Sequence, residues 1–310
     1  MTRITTANYY SSVLANLMDA QSRENTANQQ VSTGKIGNDL KGFGGQTRNI
    51  IATHTVKARV DTLVDQLKSL NVKMSFQQTA VQQVSDVASS LKSSLTNALA
   101  SGNGDSIMSD LQSYFSQAAQ ALNTQYGGDY IFSGGQTQTQ PFTAATPEDL
   151  TTATAASFFK NGALATTSQI DDKTTIKTGF LASDLGQQLV QAFKDIQTFQ
   201  DGSSGSFGGP LTDAQQTFLT TTITQLNTVV NATIQTAASG GDMQARVTDA
   251  AAAQKDRQTA LISSLGDMTD VNVADAAALT QAQTAVQASA QVFMTLKGMS
   301  LLNYLNGTTG

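Results

Sequence analysis

The residue types that carry most protein chemistry are almost missing from this chain. Its 310 residues include one histidine, His54, and no cysteine. Zero Cys removes disulfides, thiolate metal sites and a Cys nucleophile together. One His cannot make a two-His metal set, and His54 lies between Thr53 and Thr55, where an imidazole is a solvated side chain. No strand–turn–helix elbow pattern accompanies any serine as a nucleophile. The pair Asp171-Asp172 lacks the alternating oxygen-ligand spacing of a calcium loop. Gly34, Gly37, Gly42, Gly44 and Gly45 match neither the dinucleotide fingerprint nor the Lys-bearing phosphate loop. A flexible joint is their expected role. The chain is therefore read as no enzyme, with no catalytic residue, no cofactor and no metal site.

The same restraint applies to nucleic acid and membrane. Charged residues make up only 13% of the chain and its net charge is −5, so no Lys/Arg cluster offers phosphates a surface. No stretch approaches the ~18 uninterrupted apolar residues of a membrane span. The segment from Met1 to Asn8 lacks the apolar core of a secretory signal peptide. Both cytoplasmic residence and export without a cleaved signal fit this pattern.

What the sequence does carry is helix. Glycine and proline are absent from Gln46 to Ser101, and all three prolines (Pro141, Pro147, Pro210) fall in the middle. Val60, Leu67, Met74, Val81, Ala88 and Leu95 recur every seven residues, with Leu63, Leu70, Gln77, Val84, Leu91 and Ala98 as the second row. This is a coiled-coil seam with one large polar residue, Gln77. A helix of that length runs to roughly 80 Å, so an elongated rod is expected. Gly102-Asn103-Gly104 should end it, and a stripe at Ile107, Leu111, Tyr114 or Phe115, Ala118 and Leu122 should fold back antiparallel. Further stripes run through Leu185, Leu189, Phe193 and Ile196, and through Phe218 or Leu219, Leu226, Val229 or Val230 and Ile234. Thr212 and Gln215 are spaced as a capping box before the latter. Gly240-Gly241-Asp242 reads as a break and a new cap, followed by Met243, Val247, Ala250, Leu261 and Leu265. Between Pro141 and Gly179, Thr-rich alternation and the turn Asn161-Gly162 suggest a small β-rich insertion.

The two ends repeat the heptad with smaller residues. Tyr10, Leu17 and Val31 share one row, interrupted by Glu24, and Val13, Ala20 and Ala27 share the other. Asn272 is placed as a cap, with Asp275 in the first turn. Leu279, Val286 and Phe293 then form a row, Ala282, Ser289 and Leu296 its partner, and Met299, Leu301, Leu302, Tyr304 and Leu305 close the segment. Burying a large apolar side chain stabilises by ~1.5–3 kcal/mol, whereas ordering each residue costs roughly 1–2 kcal/mol of backbone entropy. The few large side chains of either end do not meet that cost. The ends are expected to be disordered or frayed alone and to order against each other and neighbouring subunits. The candidate assembly interface is thus Tyr10, Val13, Leu17, Val31, Leu279, Val286, Phe293, Leu296, Leu301, Leu302, Tyr304 and Leu305. A plain intramolecular two-helix hairpin satisfies the same pattern.

Laid out this way, the chain resembles the flagellin superfamily over almost its whole length. The run Gln29-Gln30-Val31-Ser32-Thr33-Gly34-Lys35 is similar to the family's apolar-Ser-Ser-Gly-basic motif. The segments from Leu279 to Ser289 and from Ser300 to Leu305 are similar to its C-terminal end. Gly127-Gly128-Asp129-Tyr130-Ile131-Phe132-Ser133-Gly134-Gly135-Gln136-Thr137, followed by Pro141-Phe142, most resembles the branch that joins hook to filament. Ile36-Gly37-Asn38-Asp39-Leu40 after the first motif departs from filament flagellins, as does Asn306-Gly307-Thr308-Thr309-Gly310. The resemblance implies a mainly α fold with a small β insertion, built as an elongated rod of long antiparallel helices with paired N- and C-terminal helices. It implies residues 1–40 and 271–310 as halves of an inner terminal-helix domain. Residues 41–140 and 180–270 would form a helical middle domain, with 141–179 as the outer β-rich insertion. It further implies a structural, extracellular flagellar protein, exported unfolded by the type III route. Its implied partners are further copies of itself, another hook-associated protein, flagellin and a cytoplasmic export chaperone. Filament-forming flagellin is the near alternative. A coiled-coil signalling protein of the chemoreceptor type is the remote one, and the Pro-containing insertion counts against it.

Overall fold

Heptad spacing becomes burial along α2 (Thr47–Ser101). Val60, Leu67, Met74, Val81, Ala88 and Leu95 are all buried, as are Leu63, Gln77, Val84, Leu91 and Ala98 of the second row. This computed structural model describes the backbone of residues 2–306 and the side chains of residues 8–298. By compactness the chain divides into two units, one of Met1–Val60 with Arg257–Gly310 and the other of Asp61–Asp256.

In the second unit, α2 ends at Gly102, whose φ of 65° is the left-handed conformation that suits a helix C-terminus. The chain re-enters helix as α3 (Ile107–Leu122), with Ile107, Leu111, Phe115, Ala118 and Leu122 buried. Two two-residue strands, β1 (Gln125–Tyr126) and β2 (Asp129–Tyr130), then pair antiparallel around the left-handed Gly127-Gly128 turn. Helix α4 (Ala182–Gln200) buries Leu185, Leu189, Phe193 and Ile196. Helix α5 (Asp213–Thr269) follows. It opens with the expected capping box: Thr212 N–H donates to Gln215 Oε1 at 2.9 Å, and Gln215 N–H to Thr212 Oγ1 at 3.3 Å. Within this unit α5 runs antiparallel to α2. Asn71 Nδ2 donates to Thr248 Oγ1, Gln78 Nε2 to the Ala237 carbonyl and Lys92 Nζ to Asn227 Oδ1.

The insertion from 141 to 179 places Phe142, Ala144, Leu150 and Ala155 in the larger core, beside Phe115 and Phe193. Two 3-10 turns, Glu148–Thr152 and Ala155–Phe158, carry part of this set. Its strands are β3 (Thr167–Gln169) and β4 (Thr175–Lys177), an antiparallel hairpin with Ser168 opposite Ile176. Asp171 makes the hairpin turn, accepting from the backbone N–H groups of Lys173 and Thr174 at 2.7 Å each. Those bonds, that of Lys173 foremost, hold its carboxyl below the ordinary range. Asn161-Gly162 lies outside that hairpin. Asn161 instead accepts from the Ser183 N–H and donates to Ser183 Oγ.

Two expectations fail in α5. Gly240-Gly241-Asp242 does not break the chain, since the helix runs through all three residues. The packing of residues on both sides outweighs a cost of about 1 kcal/mol per glycine. Ile234 is 55% exposed, and the inward position belongs to Thr233 at 2%.

Candidate assembly interface

The first unit is built around α1 (Thr2–Thr33) and α6 (Val273–Asn306), which pack along each other. Their caps and connections are local consequences of sequence. At the start of α6, Asn272 Oδ1 accepts from the N–H groups of Ala274 and Asp275, and Asp275 Oδ2 accepts from the Asn272 N–H at 3.0 Å. After α1 the chain turns at Gly34, with φ of 68°. The glycine joint expected to be flexible is tied by hydrogen bonds. Asp39 Oδ1 accepts from the N–H groups of Lys41 and Gly42, and Thr47 Oγ1 donates to the carbonyls of Leu40 and Gly44.

That joint is clasped to the turn between α5 and α6. Ile36 N–H donates to the Thr269 carbonyl at 2.8 Å and Val271 N–H to the Gly34 carbonyl at 3.0 Å. Between them Lys35 Nζ pairs with Asp270 Oδ1. The Lys35 bond and that from Thr269 Oγ1 hold the Asp270 carboxyl below the usual carboxylate range. Beside the clasp lies a cavity of about 610 Å³, lined in part by Phe43, Ile50, His54, Ile262 and Leu265. His54 is exposed there. Among the described residues no group of three His, Cys, Asp or Glu side chains converges on a metal site.

Two points set the direction of the α1/α6 pair. Lys35 bridges Asp270 at one end, and toward the other the rings of Tyr10 and Phe293 lie 5.2 Å apart at 48°. The helices are therefore antiparallel. The row Val13, Ala20 and Ala27 is buried, Tyr10 and Leu17 are half-buried, and Val31 is 42% exposed. Across from them Leu279, Val286, Phe293 and Leu296 are half-buried. The side chains of Leu301, Leu302, Tyr304 and Leu305 lie outside the described residues.

A second set of apolar residues faces away from the pair. Tyr9, Leu14 and Met18 on α1 are exposed, Met18 at 59%, with Val292 and Met294 on α6, Met294 at 66%. The heptad reading missed these five because it seeks one stripe per helix. No single apolar stripe marks α6, because Val292 and Met294 lie off the row of Leu279, Val286 and Phe293. None of its described side chains is buried.

No protein-family model matches the chain, and no curated protein matches it in sequence. Solved structures match it in fold. One, described as a flagellar hook-associated protein from Vibrio parahaemolyticus, aligns over 75% of this chain and 99% of its own at 12% identity, with a TM-score of 0.58. The chain shares the fold of that protein. FlgL of Bacillus cereus shares it, over 70% of this chain and 98% of its own, at 14% identity and a TM-score of 0.52. At such identities the hook-associated fold is held by the pattern of helices rather than by particular side chains. No described helix is long and apolar enough to cross a membrane.

Proposed function

We propose that this chain is a structural subunit of the bacterial flagellum, seated at the junction between hook and filament and held there by its terminal helices. The observation that carries this reading is α6, none of whose described side chains is buried and which leaves Val292 and Met294 exposed, on a chain that shares the fold of a flagellar hook-associated protein. Neighbouring subunits would supply burial for Val292 and Met294 and complete that of the half-buried Leu279, Val286, Phe293 and Leu296. In this reading Tyr10, Val13, Leu17, Leu279, Val286, Phe293 and Leu296 hold the pair together. Val31, Tyr9, Leu14, Met18, Val292 and Met294 meet adjacent copies.

The partners are further copies of the chain, another hook-associated protein on one side and flagellin on the other. Before assembly the C-terminal stripe is covered by a cytoplasmic export chaperone, and the chain leaves unfolded through the type III route without a cleaved signal. Its work is mechanical and needs no catalysis. The test is position and growth. Labelled protein should form a short band at the hook tip, and purified subunits added to filament seeds should give little or no elongation. Label along whole filaments, with long growth from seeds, would assign the filament-forming role instead.

A further inference from the structure

The middle unit contains two separate apolar cores. The larger gathers α3, α4, the 141–158 segment, the later part of α2 from Ala80 and the early part of α5 to Ala237. The smaller joins Leu63, Leu67 and Met74 of α2 to Val247 of α5 and to Ile170 and Ile176 of the hairpin. Between Met74 and Ala80 the seam of α2 is filled by Gln77, 2% exposed, whose amide reaches only the Ile131 carbonyl at 3.5 Å. That is the outer limit of a hydrogen bond. At the same level α5 carries Gly240-Gly241.

The two glycines differ in their surroundings. A Cβ on Gly240 would lie 2.5 Å from Gln78 Oε1, the movable end of a side chain, and 3.4 Å from the Phe180 ring, so α5 passes close to its neighbours there. Gly241 has open space on its Cβ side, with nothing within 4 Å, and no left-handed φ. An alanine would fit and would favour helix. The glycine instead removes local helix stability, at the level where the apolar seam is interrupted by an amide.

We propose that the middle unit has a built-in bending point, at which α5 flexes through Gly240-Gly241 against Gln77 of α2, between the two cores. Each core keeps its own packing while the segment between them opens. Cores are bistable units rather than continuously deformable ones, so motion concentrates where packing is weakest. The inference stands on this unit alone and does not depend on what the terminal helices bind.

Hydrogen-exchange mass spectrometry on the full chain tests it. Peptides covering 239–246 of α5 and 75–81 of α2 should exchange at least tenfold faster than those centred on 226–232 and 88–95. Gly241→Ala should slow the 239–246 peptide about fivefold and leave 226–232 unchanged. Gln77→Leu, which continues the apolar seam, should slow both fast peptides together. Uniform protection along α5 and α2 would overturn the proposal. So would slowing by Gly241→Ala spread evenly over the unit, or a Gln77→Leu effect confined to α2.

Discussion

Gly134 has a φ of 66°, and a Cβ there would lie 2.5 Å from the Leu164 carbonyl oxygen and 2.8 Å from Leu181 Cδ2. Its neighbour Gly135 has neither constraint, with nothing within 4 Å of the same point. The two penalties at Gly134 are distinct: left-handed backbone for an L-residue, and collision with a backbone oxygen that cannot rotate away. Gly134→Ala should therefore destabilise the middle unit by about 2–4 kcal/mol. Gly135→Ala should stay within about 0.5 kcal/mol of the parent. Urea unfolding of the two variants compares them, and equal midpoints would show that the loop yields freely. Position explains the difference, because the loop passes between the start of α4 and the strand-linked insertion. Ala182 N–H donates to the Phe132 carbonyl and Gly162 N–H to the Ser133 carbonyl. The Gly134-Gly135 pair reads in sequence simply as a turn. Only the fold separates the indispensable residue from the permissive one.

At the scale of elements, the Lys35–Asp270 clasp links the joint after α1 to the start of α6. Asp270 is held below its ordinary value, so its stabilising contribution is fully present above the usual aspartate range. It is lost as pH falls through the depressed value. Both side chains are about half exposed, at 51% and 52%, so added salt should weaken the effect. Acid titration of amide protection in residues 28–40 should show this loss, and Asp270→Asn should abolish that titration while lowering protection at neutral pH. An unchanged acid profile in the variant would remove the ion pair from the account. Elements were legible in the sequence where one strong periodicity or cap dominated, as in α2, the Thr212/Gln215 box and the Asn272/Asp275 cap. They were misread where local and tertiary preferences disagree. Gly240-Gly241-Asp242 has the composition of a break, but α5 is held by packing on both sides. Ile234 has the right hydrophobicity in the wrong phase, one residue from the buried Thr233. Much of the 141–179 segment has no period, because Phe142, Leu150 and Ala155 enter the core from loops and 3-10 turns. At the candidate interface the inward row Val13, Ala20 and Ala27 followed from spacing. The outward residues Leu14, Met18, Val292 and Met294 did not, because heptads record only what one helix turns toward another.

For the molecule as a whole, the division into two units carries a consequence for truncation. Each core of the middle unit is assembled from residues between Leu63 and Ala251, and none comes from α1 or α6. The pair of terminal helices has a far smaller interior: among the described residues, two of the three buried α1 side chains are alanines. At ~0.8 kcal/mol per buried methylene-sized group, such side chains offset little of the entropy of ordering some thirty residues. Removing Leu279 to Gly310 should therefore leave the thermal transition of the middle unit within a few degrees of the parent. It should also release α1, which loses the Phe293 ring that faces Tyr10. Circular dichroism should then lose more helix than the deleted segment contains, because α1 melts with its partner. On the proposed flagellar reading, incorporation into flagella should fall to background, scored by labelled protein on cells that lack the intact chain. Incorporation at the parental level would remove the terminal helices from the assembly account. A collapse of the middle transition would instead show that the two units fold as one.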